Sequence, residues 1–255
     1  MNRFTSQLIR LYSPLATLDS DGKLALFDAS GRVRALVLEL RLPADWAALA
    51  LVWQGVQADL GLPAPAIVVQ GVDAYQLWFS LAEPLAAQTG RSFLQALAAR
   101  YLADVAPSRL RLLPAALPAT DPALPPPQQH AAVVPQRMAE EQWSAFVSAD
   151  LAPLFTQTPW LDMAPNLEGQ AGLLATLQCM QPAALQEATA RLRPAEATAP
   201  AARTTGPGAL AAPGDLTACA HRDPKRFLLD VMNDEGVALA LRIEAAKALL
   251  PYVQV

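Results

Sequence analysis

Seven polar side chains on three apolar stretches carry the chemistry that this chain can offer. Glu39 and Arg41 close RVRALVLELR, Gln76, Trp78 and Ser80 alternate through AYQLWFSL, and Arg109 and Arg111 alternate through RLRLL. A carboxylate can hold a cation, accept from a nucleobase or pair with a base beside it. An indole can stack on a nucleobase or fill a core. Guanidinium groups suit phosphate. For Glu39 the sharper reading is a metal or nucleotide ligand, and the plainer one is an ion pair with Arg41 or another base on a wet sheet face. Trp78 either stacks on a base or is covered by a later segment, and Gln76 either reads a base edge or satisfies backbone groups. Arg32, Arg34, Arg41, Arg109 and Arg111 would make a basic patch if gathered, but residues 1–118 hold nearly as many acids as bases, so a mixed solvated surface is the expectation.

These residues need strands to aim them. In Pro65–Pro84, two apolar runs, 66–69 and 75–81, flank Gln70-Gly71-Val72-Asp73-Ala74, the pattern of two strands and a tight connection. A period of two sends Tyr75, Leu77, Phe79 and Leu81 to one face and Gln76, Trp78 and Ser80 to the other. The run 32–40 does the same, with Leu36, Leu38 and Leu40 opposite Glu39 and Arg41. Asp45 can cap a helix whose apolar stripe is Trp46, Leu49, Val52, Trp53, Val56 and Leu60, ended by Gly61 and Pro63. A second helix spans about 88–104, with Phe93, Leu94, Leu97, Tyr101 and Leu102 inward, and a short strand covers 109–113.

The order strand, helix, strand, strand, helix, strand predicts an α+β fold. It is the RRM/ferredoxin-like βαββαβ arrangement of an antiparallel sheet, with both helices on one face. The first and third strands then lie side by side, and Glu39, Arg41, Gln76, Trp78 and Ser80 emerge together on the other face. Lys23–Phe27, separated from 32–40 by Asp28-Ala29-Ser30-Gly31, reads as an N-terminal β-hairpin extension. Residues 4–18 allow a short helix or a strand. Asp19, Asp21 and Asp28 are explained as turn formers.

The α+β domain is expected over 1–115, followed by a proline-rich linker at 116–137. A helical region follows at 138–193, comprising a stripe of Trp143, Phe146, Val147, Leu151, Leu154 and Phe155 and then helices at 169–180 and 182–192. An Ala/Pro-rich stretch, 194–222, reads as a disordered linker. A C-terminal helical hairpin at 223–255 starts at Asp223-Pro224. Its shared apolar face, Phe227, Leu228, Val231 and Met232, predicts a protein partner, since about 30 such residues are marginal alone.

Composition narrows the class. With 53% hydrophobic residues the chain can bury a large core, while a net charge of −4 and pI near 5.2 make it no general trap for nucleic acid. The two cysteines, Cys179 and Cys219, have no metal-ligand spacing. Cys179 on a helix reads as a small core residue, and His130 and His221 fall in proline-rich stretches. No run of about 18 apolar residues offers a membrane span, and no signal-peptide core follows the start, so a cytoplasmic protein without membrane contact is expected.

The acid on the open face beside the strand-turn-strand IVVQGVDAYQLWFSLAEPL resembles the archaeo-eukaryotic primase (primase-polymerase) superfamily. That resemblance covers about residues 20–115 and implies a catalytic core on an RRM-like sheet. The family pattern has an acidic pair that holds divalent metal and a histidine that contacts the nucleotide. Here Glu39-Leu40-Arg41 and Gln76 stand in those places. A single carboxylate beside a guanidinium suits two-metal nucleotidyl transfer poorly. The implied function is a catalytically degenerate, primase-like accessory or binding protein in DNA replication or maintenance of a phage, plasmid or integrated mobile element. It would bind single-stranded nucleic acid or a nucleotide through Arg41, Gln76, Trp78, Ser80, Arg109 and Arg111. The segment DPKRFLLDVMNDEGVALALRIEAAKALLPYV is similar to the tails of phage terminase small subunits. Two alternatives stand beside this. One is an active primase using Mg²⁺ or Mn²⁺, with Glu39 and one of Asp19, Asp21 or Asp28 as ligands; otherwise no cofactor is expected. The other is a non-enzymatic adaptor acting through the C-terminal helices.

Overall fold

Asp28 ties the turn that launches the sheet: its Oδ1 accepts from the backbone N–H of Ser30 and of Arg32, and Gly31 closes the turn at φ +72°. The computed structural model describes residues 2–19, 22–43, 45–117 and 127–193. By its contacts the chain divides into two units, 1–198 and 199–255. The expected linker at 194–222 and the C-terminal hairpin with Phe227, Leu228, Val231 and Met232 lie outside the described residues, as does Asp21.

Before that turn comes α1, Arg3–Tyr12, capped by Asn2, whose side chain accepts from the Thr5 N–H. Its Phe4, Leu8, Leu11 and Tyr12 fall at helical spacing and are all buried. Strand β1, Arg32–Arg41, leads through the Asp45 cap into α2, Trp46–Ala58. Strands β2, Ala66–Val69, and β3, Ala74–Ala86, form the central hairpin, with Gly71 between them at φ +100°. Helix α3, Ala87–Tyr101, returns the chain to β4, Leu110–Leu113. Short pairs follow, β5 (Ala115–Ala116) with β6 (Gln128–Gln129) and β7 (Arg137–Ala139) with β8 (Gln142–Trp143). Strand β9, Ala145–Val147, joins the main sheet, and α4, Leu167–Ala175, and α5, Pro182–Leu192, complete the described chain.

The fold is mixed α+β around a five-stranded antiparallel sheet ordered β4-β1-β3-β2-β9. One face carries the larger core, where Leu36, Leu38 and Leu40 meet Tyr75, Leu77 and Phe79 beneath Leu49, Val52, Val56, Phe93, Leu94 and Leu97 of α2 and α3. Burying each such side chain contributes about 1.5–3 kcal/mol, which makes this layer the main source of stability. Glycine permits its closest approach, since a Cβ at Gly90 would collide with Leu36 and one at Gly55 with Tyr101.

The opposite face is covered as well. Phe4, Leu8, Leu11 and Tyr12 of α1, Ala171 and Leu174 of α4, Phe146 of β9, and Ala131 and Val134 of the segment after β6 pack on Ala35, Val37 and Trp78. Two arginines fasten this layer through exposed helix ends. Arg10 donates to the carbonyls of Leu174 and Leu177 at the end of α4. Arg34, displaced at a register shift in β1, donates to the carbonyls of Arg10, Ser13 and Leu81. Cations at helix C-termini satisfy carbonyls that have no partner within the helix.

Four expectations are corrected. Lys23–Phe27 is irregular, so the N-terminal extension is a helix and loop instead of a β-hairpin. Residues 142–147 are extended instead of helical, because β2 had an unpaired edge that Ala145–Val147 fills, pairing Val69 with Ala145 and Ile67 with Val147. Tertiary pairing here overrides a local pattern that also fits a helix. The proline-rich stretch is more than a linker, since its described end, 127–134, straps onto the sheet. The helix expected at 169–180 spans 167–175, after which Met180 bridges to Leu81. Among the described residues no helix is long and apolar enough to cross a membrane.

Candidate functional site

Registration of the strands decides which polar groups meet. Glu39 lies opposite Gln76 on β3 and opposite Arg111 on β4. Directly opposed side chains on one face have Cβ atoms about 4.5–5.5 Å apart. Gln76 Nε2 donates to Glu39 Oε2 at 2.7 Å, and Trp78 Nε1 donates to Gln76 Oε1 at 2.8 Å. The carboxamide therefore relays between acid and indole, and all three groups are buried. A buried polar chain of this kind holds its members in single rotamers because breaking any link strands a desolvated group.

Arg111 completes the arrangement without closing it. Its guanidinium donates to Gln129 Oε1 at 2.7 Å and makes no ion pair with Glu39. Glu39, Gln76, Arg111 and Gln129 instead line a shared cavity of about 310 Å³, together with Gln70, His130, Met138 and Ser144. Gln70 Oε1 accepts from the Val72 N–H of the hairpin turn, and Ser144 Oγ bonds the backbone of Gln136. Those two walls are thereby held by their own backbone. Glu39 Oε1 has no bonded partner among the described residues, which leaves an acceptor facing a guanidinium across the opening.

His130 has a different place from the one its proline-rich surroundings suggest. Its Nε2 bonds the Ala35 carbonyl at 3.1 Å, and its Nδ1 accepts from the Ala131 N–H at 2.8 Å. The ring lies against Phe27 and Trp78, and burial pushes its pKa down to about 4. Those two bonds describe a neutral imidazole protonated on Nε2 that pins the strap to β1.

The other expected site residues are employed elsewhere. Trp78 is 1% exposed, enclosed by Tyr12, Phe146 and His130, so no face of its ring is open to a base. Ser80 Oγ donates to the Gln178 carbonyl and anchors the chain after α4. Arg41 pairs with Asp73 at 3.1 Å, not with Glu39. Arg109 donates to the Pro43 carbonyl, and Arg32 pairs with Asp28. With Arg34 at helix ends, the five arginines form no common patch. Of the six residues expected to bind nucleic acid, Gln76 and Arg111 line the cavity. Sequence reasoning missed Gln70, Gln129, His130 and Ser144, which reach the site from the hairpin turn, the strap and the loop before β9. The one local signal was the polar run QQH, residues 128–130, at the end of a proline-rich stretch.

Divalent metal fits this donor set poorly. One carboxylate, with an oxygen already committed to Gln76 and a guanidinium opposite, cannot supply the several converging oxygens that Mg²⁺ or Mn²⁺ needs. Among the described residues no cluster of three His, Cys, Asp or Glu could hold a metal. Asp28 is consumed by its turn, with the Arg32 N–H foremost in holding its carboxyl below the usual range. Asp19 accepts from the Lys23 N–H in another turn. Cys179 is half-buried beside the Arg34 guanidinium, at the margin of the second core instead of inside it. No family model, curated protein or solved structure matches the chain.

Proposed function

We propose that this chain is a binding protein for a small polar ligand that presents hydrogen-bond donors and acceptors on adjacent edges, with a nucleotide base the leading candidate. In this reading it is a non-catalytic, primase-like accessory protein of a mobile element. The observation that carries the binding reading is that Glu39 and Arg111 oppose each other across a ladder and each is held by a glutamine instead of by the other. A ligand entering the cavity would set its donors against Glu39 Oε1 and its acceptors against Arg111. Neither group would need to break an ion pair first, so binding starts from a preorganised site. The cavity volume of about 310 Å³ is at the small end for ligand sites, which run about 300–1,000 Å³.

Support for the primase-like part is the β4-β1-β3-β2 order with α2 and α3 on one face. Sheets of that order serve many functions, so the scaffold contributes ancestry and the cavity contributes the activity. Enclosure of Trp78 argues for a ligand in the polar cavity instead of a strand stacked along the sheet.

Calorimetric titration with the four nucleoside monophosphates tests the reading. At least one should bind, and Glu39→Gln and Arg111→Met should each weaken it at least tenfold while circular dichroism stays unchanged. Absence of binding by all four, or binding indifferent to both substitutions, would overturn it. So would primer synthesis with Mg²⁺ or Mn²⁺ that Glu39→Gln abolishes, because that outcome belongs to an enzyme.

A further inference from the structure

The sheet has two outer edges, and they are treated differently. On β9 the carboxamide of Gln170 accepts from the Phe146 N–H at 2.8 Å and donates to the Phe146 carbonyl at 3.0 Å. It thus mimics one residue of a further strand. Edge strands left open invite pairing, and covering them is a common protection. On β4 no described group does this: the strand pairs with β1 along one side alone. Alternate residues of Leu110–Leu113 therefore turn N–H and C=O groups outward.

Beside this open edge runs an apolar groove of about 360 Å³ between β4 and α3, lined by Ala98, Leu102, Val105, Pro107, Leu110 and Leu112. Arg91, half-buried in the groove wall, makes no hydrogen bond or ion pair with any described residue. Helix α3 carries the chain back from β3 to β4, which are parallel through β1, and so runs against β4. Arg91 near its start stands toward the Leu112 end of the groove, and Leu102 just past its end stands toward Leu110.

We propose that the β4 edge and this groove form a docking site for an extended segment of a partner protein that ends in a free carboxylate. The segment adds as a sixth strand, with main-chain hydrogen bonds to β4 supplying adhesion. Every second side chain is apolar and lies in the groove, because strand neighbours alternate between faces. Its terminal carboxylate meets Arg91, a half-buried cation that makes no hydrogen bond or ion pair with any described residue. Charge complementarity selects the occupant: a carboxylate arriving at the Leu112 end of the groove supplies the counter-charge that Arg91 lacks among the described residues. The site is distinct from the polar cavity, which opens on the other face of the sheet.

The test uses the full-length chain and a fluorescein-labelled eight-residue peptide that alternates valine with threonine, ends in valine and bears a free C-terminal carboxylate. Fluorescence anisotropy should show saturable binding. Arg91→Glu, or amidation of the peptide terminus, should weaken it at least tenfold, and the two changes together should do no more than either alone. Ala99→Phe, at an exposed position that also lines the groove, should block it by filling the space. N-methylation of alternate peptide nitrogens should abolish binding in one phase and spare it in the other. No saturable binding up to millimolar peptide, binding changed less than twofold by Arg91→Glu, or equal loss from both methylation phases would overturn the proposal.

Discussion

Glu39 and Arg111 face each other across the β1–β4 ladder, and each is bonded to a glutamine instead of to the other. Opposite charges placed directly across a strand pair ordinarily contribute a few tenths to 1 kcal/mol by meeting. Here that contact is forgone, and the space beside the two groups is a cavity with polar walls. The glutamines do the separating. Gln76 draws the carboxylate toward Trp78, and Gln129, delivered by the strap, draws the guanidinium toward the other wall.

Gln76 is expected to be the most sensitive position of the polar chain. Gln76→Leu leaves Trp78 Nε1 without an acceptor and Glu39 Oε2 without a donor, both in buried surroundings. The loss should be roughly 2–4 kcal/mol in urea denaturation. The triple change Glu39→Met, Gln76→Leu, Trp78→Phe should recover more than half of it, since an apolar set strands no polar group. Equal destabilisation in single and triple variants would show that the relay contributes nothing.

Stability should depend on pH through His130. The folded state holds the imidazole neutral with a pKa of about 4, whereas an unfolded histidine titrates at its ordinary value of 6.5. Between those values the unfolded chain binds more protons, so stability present above pH 6.5 is lost as pH falls toward 4 and then levels off. The amplitude is up to about 3 kcal/mol at 1.36 kcal/mol per pKa unit. His130 faces Phe27, Trp78, the Ala35 carbonyl and the Ala131 N–H, and the nearby charged groups lining its cavity are Glu39 and Arg111. Carboxylates elsewhere titrate in part of the same window, so the measurement is the difference between the native chain and His130→Gln in urea titrations from pH 4 to 7.5. That difference should change with pH; a constant difference would contradict the assignment.

Two kinds of glycine should respond to alanine with opposite signs. Gly90→Ala drives a methyl into Leu36 under α3 and should cost about 1–3 kcal/mol by overpacking. Gly169 and Gly172 in α4 have nothing within 4 Å of a Cβ, and alanine at either should stabilise by about 0.5–1 kcal/mol through lower entropy of the unfolded chain. Thermal melts of the three variants check the sign.

Tyr12→Phe should be neutral or stabilising by up to about 1 kcal/mol, although Tyr12 is fully buried. Its hydroxyl has no hydrogen-bond partner among the described residues, and burial raises its pKa far above the ordinary tyrosine value. Removing an unsatisfied polar atom while keeping the ring against Trp78 and Phe146 subtracts a desolvation cost and leaves the packing. A loss above about 1 kcal/mol in denaturant melts would show that the hydroxyl has a partner, such as a buried water.

Local pattern carried much of the sheet. The alternation in 32–40 and 75–81 placed Glu39, Gln76 and Trp78 on one face and the leucines with Tyr75 on the other, because side-chain direction in a strand follows from a period of two without any partner. Capping and 3.6-residue spacing likewise made α2 and α5 readable from Asp45 and Pro182. The stripe Phe4, Leu8, Leu11, Tyr12 behind Asn2 held the same kind of signal for α1, in a segment short and polar enough to pass for either element.

What the sequence by itself determined, then, is which side of each strand a residue occupies and where helices begin, since both depend on neighbours within a few positions. The tertiary structure alone decided that Trp78 is enclosed instead of open to a ligand, that residues 145–147 extend the sheet, and that His130 and Gln129 return to β1 and β4. It also decided that Glu39 answers to Gln76 instead of Arg41. Each of these depends on groups far apart in the chain competing for the same surface or hydrogen bond, and no local spacing records which one wins.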